Sequence, residues 1–254
     1  MSVIAISSGK GSPGATFVAV NLAAAMERAG EEVLLLDLDP SGGDVCCYLR
    51  LDPRRGLYPL LRMEGQIPGP ERLMGEAEER AGFLAVCGFP EPSDVVSPEV
   101  LLAAMRAGRS TGRTVVADLG RVSNPVLPAA ADSDRLVLVV RPDLASVLGA
   151  ERALRLLEPP VPRERIGAVL SGFERRRPGD RAEVQDALGI PVTGTVPRDL
   201  RGARRALLEQ APAATRRLRS AFDSLAQALR NGLRATEVGE PVVSRQVSEV
   251  HAWP

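Results

Sequence analysis

The sequence predicts a three-layer α/β protein: a doubly wound, mostly parallel sheet with helices on both faces. Three observations carry this prediction. Short, wholly apolar runs recur along the chain, such as VLLLD (33–37) and RLVLVV (135–140). Segments of helix length alternate with them, and Gly and Pro punctuate the junctions. Strands that are apolar on both faces belong in a sheet covered on both sides. Right-handed crossovers then wind the helices onto the two faces.

The elements follow in order. Residues 2–7 read as the first strand. Residues 15–29, rich in Ala and Leu, read as a helix closed by Gly30. Residues 33–37 and 83–87 are strands, and the stretch between them, 52–80, reads as one or two short helices at the sheet edge. Residues 98–108 form a helix that Pro98 opens and Gly108 closes. Strands at 114–118 and 135–140 follow, then a helix at 144–157 that ends before Pro159-Pro160. A strand at 166–171, a helix at 181–188, a strand at 192–196 and a helix at 199–209 continue the alternation. A long last helix spans 214–235, so residues 1–235 are expected as one domain and 236–254 as a tail.

Composition excludes several function classes. The 32 basic residues balance 32 acidic ones, so the molecule as a whole has no strong field for nucleic acid or acidic lipid. No apolar run approaches membrane-spanning length, and MSVIAISSGKG lacks the features of a signal peptide. Cys46, Cys47 and Cys87 have no metal-ligand spacing and read as core or inert thiols in a reducing cytoplasm. His251 is the sole histidine, which excludes a His-rich metal site. Lys10 is the sole lysine, every other basic residue being arginine. A compact ammonium fits a tight phosphate loop where a planar guanidinium would clash.

Gly9-Lys10-Gly11-Ser12-Pro13-Gly14-Ala15-Thr16 lies between the first strand and the first helix. Its glycines allow positive φ and let N–H groups converge on an anion, and the helix N-terminus adds partial positive charge. Two patterns compete. The P-loop, G-x-x-x-x-G-K-[ST], matches at Gly9, Gly14 and Thr16, with Ala15 in place of lysine. The dinucleotide fingerprint G-x-G-x-x-G matches at Gly9, Gly11 and Gly14, and Asp37 could then hold a ribose. The second strand favours the first pattern. It ends Asp37-Leu38-Asp39-Pro40-Ser41-Gly42-Gly43-Asp44, two acids flanking one leucine, as needed to position a magnesium ion's water and an attacking water. Asp118 supplies a third acid at a strand end.

With these residues in view, the sequence resembles the deviant Walker A ATPases that include MinD, ParA and the pilus-associated CpaE/TadZ proteins. Their loop reads K-G-G-x-G-K-[ST]-[ST], against Lys10 to Phe17 here. LLLDLDPSGGD (34–44), LVLVVRPDLASVLGAERALRLL (136–157) and GIPVTGTVPRDLRGARRALLEQAP (189–212) are similar to three further family segments, and the match runs in order from about residue 2 to 235. The resemblance implies a homodimer that binds ATP and Mg2+ and organises the position of a septum, pilus machine or chromosome. It implies that Lys10 reaches the partner's nucleotide and that Gly9 to Phe17 form the phosphate-binding segment. Thr16 would ligate Mg2+, Asp37 and Asp118 would hold the metal's water shell, and Asp39 would orient water. Three residues depart from the pattern: Ala15 replaces the lysine bridging β- and γ-phosphates, Phe17 replaces a hydroxyl residue, and Ser171 stands where Asn often contacts the base. A non-hydrolysing scaffold and an NAD(P)-binding enzyme are the rival expectations.

Other surfaces carry weaker signals. Leu218, Phe222, Leu225, Leu229 and Leu233 share one face of the last helix, expected to pack on the core. Arg175–Arg177 and Arg198, Arg201, Arg204 and Arg205 are clusters that could grip DNA phosphates or simply face solvent.

Overall fold

The computed structural model describes residues 2–11, 13–64, 69–90, 96–174 and 180–237. Eight strands form one sheet: β1 (Val3–Ser8), β2 (Val33–Asp37), β3 (Glu78–Arg80), β4 (Phe83–Val86), β5 (Thr114–Arg121), β6 (Arg135–Val140), β7 (Ile166–Phe173) and β8 (Val192–Pro197). Their order is β3-β4-β2-β5-β1-β6-β7-β8. Every described pairing is parallel except the edge pair β3–β4.

Among the described residues, ten α-helices cover the sheet: α1 (Ala15–Arg28), α2 (Val45–Leu49), α3 (Leu57–Glu64), α4 (Pro70–Glu76), α5 (Pro98–Ser110), α6 (Leu127–Asp132), α7 (Leu144–Leu157), α8 (Asp180–Leu188), α9 (Leu200–Glu209) and α10 (Arg216–Glu237). Successive side chains of a strand leave opposite faces, so each buried strand feeds two cores. Val3, Ala5, Leu34, Leu36, Val115 and Ala117 pack toward α3–α8. Ile4, Ile6, Val33, Leu35 and Val116 pack toward α1, α2, α9 and α10. That alternation is why the strands read as continuous apolar runs, and it confirms the doubly wound three-layer prediction.

The predicted elements are present, with three additions. The stretch 52–80 holds the expected short helices α3 and α4, and also the polar edge strand β3. Helices α2 and α6 were not anticipated. The last helix packs as expected: Leu218, Phe222, Leu225 and Leu229 are buried. The side chain of Leu233, the Arg175–Arg177 cluster and residues 238–254 of the expected tail lie outside the described residues. Among the described residues, no helix is long and apolar enough to cross a membrane.

Strand order also bears on the dinucleotide alternative. A dinucleotide fold places its second strand beside the first, so the acid ending that strand reaches the ribose. Here β5 lies between β1 and β2. Asp37 is therefore two strand spacings, roughly 10 Å, from β1, and its immediate neighbour is Asp118 of β5. The G-x-G-x-x-G spacing is thus not accompanied by the topology that gives it meaning.

Candidate functional site

The site is built at the carboxyl ends of β1, β2 and β5, where α1 begins. Ser8 ends β1, and its hydroxyl donates to the Lys10 carbonyl at 2.9 Å, folding the loop back on the strand. The Ser7 hydroxyl donates to the Gly120 carbonyl at 3.0 Å, tying β1 to the end of β5. Val122 N–H donates to Ser8 O at 2.9 Å and closes the same junction.

The loop glycines have different roles. Only Gly14 has positive φ, at 97°, where it starts α1 in the left-handed region. The expectation that all three glycines supply positive φ is therefore corrected. Gly9 is required by proximity, because a methyl group there would overlap the Gly149 backbone of α7. Gly149 also lies against the Lys10 side chain, so α7 braces the loop from the far face of the sheet. Gly11 faces open space. Pro13 and Ala15 are buried, Thr16 is partly exposed, and Ser12 lies outside the described residues.

Phe17 points away from any hydroxyl role. Its ring meets Phe222 of α10 edge-on at 5.8 Å and Tyr48 of α2 at 6.3 Å. It thereby joins the start of α1 to two helices of its own layer. Asn21 adds to this joint: its amide donates to Phe17 O at 2.7 Å and its Oδ1 accepts from Ala213 N–H at 2.7 Å. The Ser171 hydroxyl lies beside Gly14.

The three acids converge. Asp37 and Asp118 are direct partners on adjacent parallel strands. Both continue the residue series that faces α1, so their carboxyls leave the same side of the sheet. Both are buried. Asp37 accepts from Asp39 N–H at 3.3 Å and from Val45 N–H at 3.2 Å, the latter at the start of α2. Asp118 Oδ1 accepts from Gly120 N–H at 3.0 Å. Its Oδ2 is buried and has no hydrogen-bond partner among the described residues. Asp39 accepts from Ser41 N–H at 2.8 Å. None of the three forms an ion pair among the described residues.

Burial without a cation dictates the electrostatics. Burial raises the Asp37 carboxyl well above its usual range, and the Asp118 charge adds to the effect. Burial pushes Asp118 up to about 6, against the opposing influence of the Thr16 hydroxyl and the Gly120 N–H. Burial also raises Asp39, which its bond from Ser41 opposes.

Glycines admit these carboxyls. A methyl group at Gly43 or Gly88 would overlap Asp37, and one at Gly120 would overlap Asp39. The sequence pattern alone does not mark Gly43, Gly88, Gly120, Ser7 or Ser8 as parts of this site. Gly120, two residues beyond Asp118, was the available signal. The arginines of the second cluster are engaged elsewhere or face solvent: Arg198 pairs with Glu174 at 2.8 Å and Arg205 with Glu209 at 2.7 Å, while Arg201 and Arg204 are exposed.

Comparisons with known proteins follow this geometry. The family described as the CobQ/CobB/MinD/ParA nucleotide binding domain matches residues 4–212. An uncharacterized protein of Mycobacterium tuberculosis is 30% identical over 209 residues, covering 77% of this chain and 54% of that protein. This chain thus spans about half the length of that relative. The septum site-determining protein MinD of Thermotoga maritima is 24% identical over 175 residues, covering 68% of this chain and 65% of that protein. Among solved structures, MinD complexed with Mg-ADP from Pyrococcus horikoshii superposes with a TM-score of 0.74 at 20% identity, covering 90% of this chain and 95% of that one. At that identity the likeness shows the fold.

Proposed function

Because the chain belongs to the CobQ/CobB/MinD/ParA nucleotide-binding family, we propose that it binds ATP with Mg2+ at the β1–α1 loop and acts as a homodimeric, cytoplasmic organiser of position. The observation that carries the nucleotide reading is Asp118 Oδ2, a buried carboxylate oxygen with no hydrogen-bond partner among the described residues, beside a second buried acid. A divalent cation bound with polyphosphate would offset that unfavourable burial. Thr16, Asp37 and Asp118 are the residues that would hold the ion and its waters. Bound there, the ion would neutralise phosphate charge.

The remaining roles belong to the chain itself. Backbone N–H groups of the Gly9–Phe17 segment, Pro13 excepted because it has none, and the α1 N-terminus bind phosphate oxygens. Asp39 orients water, its carboxyl held by Ser41 N–H and walled by Gly120. Lys10 contacts phosphate, across the dimer as in a deviant Walker A protein. The cargo of such a dimer would be a septum, a pilus machine or a chromosome, and the exposed Arg201 and Arg204 would supply any nonspecific contact with DNA.

Ala15 favours a second reading, a scaffold that binds nucleotide without hydrolysing it. A charge-assisted hydrogen bond is worth about 1.5–3 kcal/mol. Its absence costs on the order of ten- to a hundredfold in affinity unless Lys10 compensates. Thermal shift with ATP–Mg2+, ADP and NAD, on the wild type and Lys10→Ala, tests the proposal. We expect ATP–Mg2+ to stabilise the wild type and NAD to have no effect. Failure of millimolar ATP–Mg2+ to raise the melting temperature would remove the nucleotide reading. Equal stabilisation of Lys10→Ala would remove the role of Lys10.

A further inference from the structure

Helix α9 is inverted relative to an ordinary amphipathic surface helix. It turns the small residues Gly202 and Ala206 to the core, and a methyl group at Gly202 would already crowd Asp199 and Leu218. Its large apolar side chains face out: Leu200 is 68% exposed, Leu207 47% and Leu208 74%. Around the helix axis Leu200, Arg204, Leu207 and Leu208 fall within about 100° of one another, with Arg201 at the edge of that arc. Arg201 and Arg204 are exposed and form no ion pair among the described residues. The outer face of α9 is therefore an apolar stripe with two uncompensated cations, complementary to a surface that is apolar and acidic.

The chain carries such a segment. Residues 247–254, VSEVHAWP, hold three large apolar side chains, Val247, Val250 and Trp253, and one acid, Glu249. The three apolar residues recur at every third position, which places them on one side of either a helix or a polyproline II segment. We propose that residues 247–254 dock on the outer face of α9, with Val247, Val250 and Trp253 covering Leu200, Leu207 and Leu208 while Glu249 faces Arg201 and Arg204.

Reach selects this segment and this face. Helix α10 begins beside α9: the Thr215 hydroxyl donates to Asp199 at 2.9 Å, and Arg217 donates to Arg198 O at 3.4 Å. It ends at the amino side of the sheet, where Arg230 pairs with Glu31 and Arg135 donates to Gly232 O at 2.6 Å. Its 22 residues span about 33 Å. Ten extended residues cover about the same distance, so a chain returning from Glu237 regains the start of α9 near Val247. An open groove along α10, lined by Asn231, Gln227, Ser224, Ser220 and Ala214, leads in that direction. The exposed Leu144 and Leu148 belong to α7, which packs on the other face of the sheet. A docked segment would cover Arg204 and so compete with nucleic acid for that cation. Docking does not depend on the nucleotide reading and stands or falls separately from it.

Trp253 is the sole tryptophan, so its fluorescence in the full chain reports docking directly. The wild type should show blue-shifted emission and slower acrylamide quenching than the same chain unfolded in denaturant. Leu200→Glu combined with Leu208→Glu should move both to the unfolded values. These leucines are exposed, and circular dichroism checks that the variant keeps its fold. Arg204→Glu should speed quenching, and adding Glu249→Arg should slow it again, a rescue that a direct pairing predicts. Leu148→Glu on α7 should change nothing. Wild-type Trp253 quenched as fast as in the unfolded chain, or shielding that survives Leu200→Glu with Leu208→Glu, would overturn the proposal. So would shielding that appears only at high protein concentration, which would give the stripe to a second copy, or only with anionic vesicles, which would give it to a membrane.

Discussion

Four acids at the amino ends of the parallel strands differ from Asp37 and Asp118 at the carboxyl ends in burial and in their partners. At the amino ends, Asp134 accepts from Val3 N–H at 2.7 Å and pairs with Arg109 at 3.0 Å. Asp132 pairs with Arg106 at 3.1 Å, Glu31 with Arg230 at 3.1 Å and Glu32 with Arg113 at 3.0 Å. Thr114 adds a hydroxyl bond to Glu31 at 2.6 Å. At the carboxyl ends, Asp37 and Asp118 are more deeply buried, yet neither has a cation among the described residues. A buried charge without a partner is costly. Glu174 and Asp143, also beyond carboxyl ends, pair with Arg198 and Arg141, so the contrast is particular to Asp37 and Asp118, the acids that the proposed function assigns to a bound cation.

Substitutions can break that contrast, and the largest effect is expected where backbone meets backbone. Gly9→Ala forces a methyl into the Gly149 backbone. It should cost about 3 kcal/mol, the upper range of overpacking, read as a lowered denaturant midpoint together with loss of the ATP–Mg2+ response. Next is Asp118→Asn, which should stabilise the free protein. The folded chain holds the Asp118 proton up to about pH 6, whereas the unfolded chain releases it near pH 4. Between those values the folded state binds more protons, so its stability falls as pH rises, by on the order of 2–3 kcal/mol. Denaturation of the wild type from pH 4 to 7 should follow that slope. The variant should be flatter and more stable near neutrality.

Smaller effects test the satisfied end. Arg109→Ala removes a half-exposed cation from two acids and should cost about 1 kcal/mol after screening, with nucleotide binding unchanged by calorimetry. Ala15→Lys acts at the other end: it should tighten ATP–Mg2+ on the order of tenfold and leave the free protein's melting temperature nearly unchanged. Arg54→Ala removes an ion pair with Asp52 on the exposed surface and should change neither stability nor binding measurably.

The same contrast separates what the sequence reveals from what it hides. The central strands are legible because burial on both faces makes them continuous apolar runs. The edge strand β3, with sequence Glu78-Glu79-Arg80, is polar and short, so no periodicity marks it. Helix α2 is a single turn made possible by Asp37 accepting from Val45 N–H, a tertiary contact. The acids Asp37, Asp39 and Asp118 were readable because each ends an apolar run with a carboxylate. The glycines that admit them were not, since Gly88 and Gly120 matter through approach across the sheet. Gly9 likewise reads as a loop glycine, although its constraint comes from α7. Local pattern reports local conformation, and close approach between distant segments leaves little trace in it.

The most direct measurement is the melting temperature of the wild type and Asp118→Asn near pH 7, free, with ATP alone, with Mg2+ alone and with both. The wild type should rise only when nucleotide and metal are present together. Asp118→Asn should start higher and respond little. A variant that starts below the wild type, or gains as much from ATP–Mg2+, would contradict the claim that this carboxylate is buried for a cation the chain does not supply.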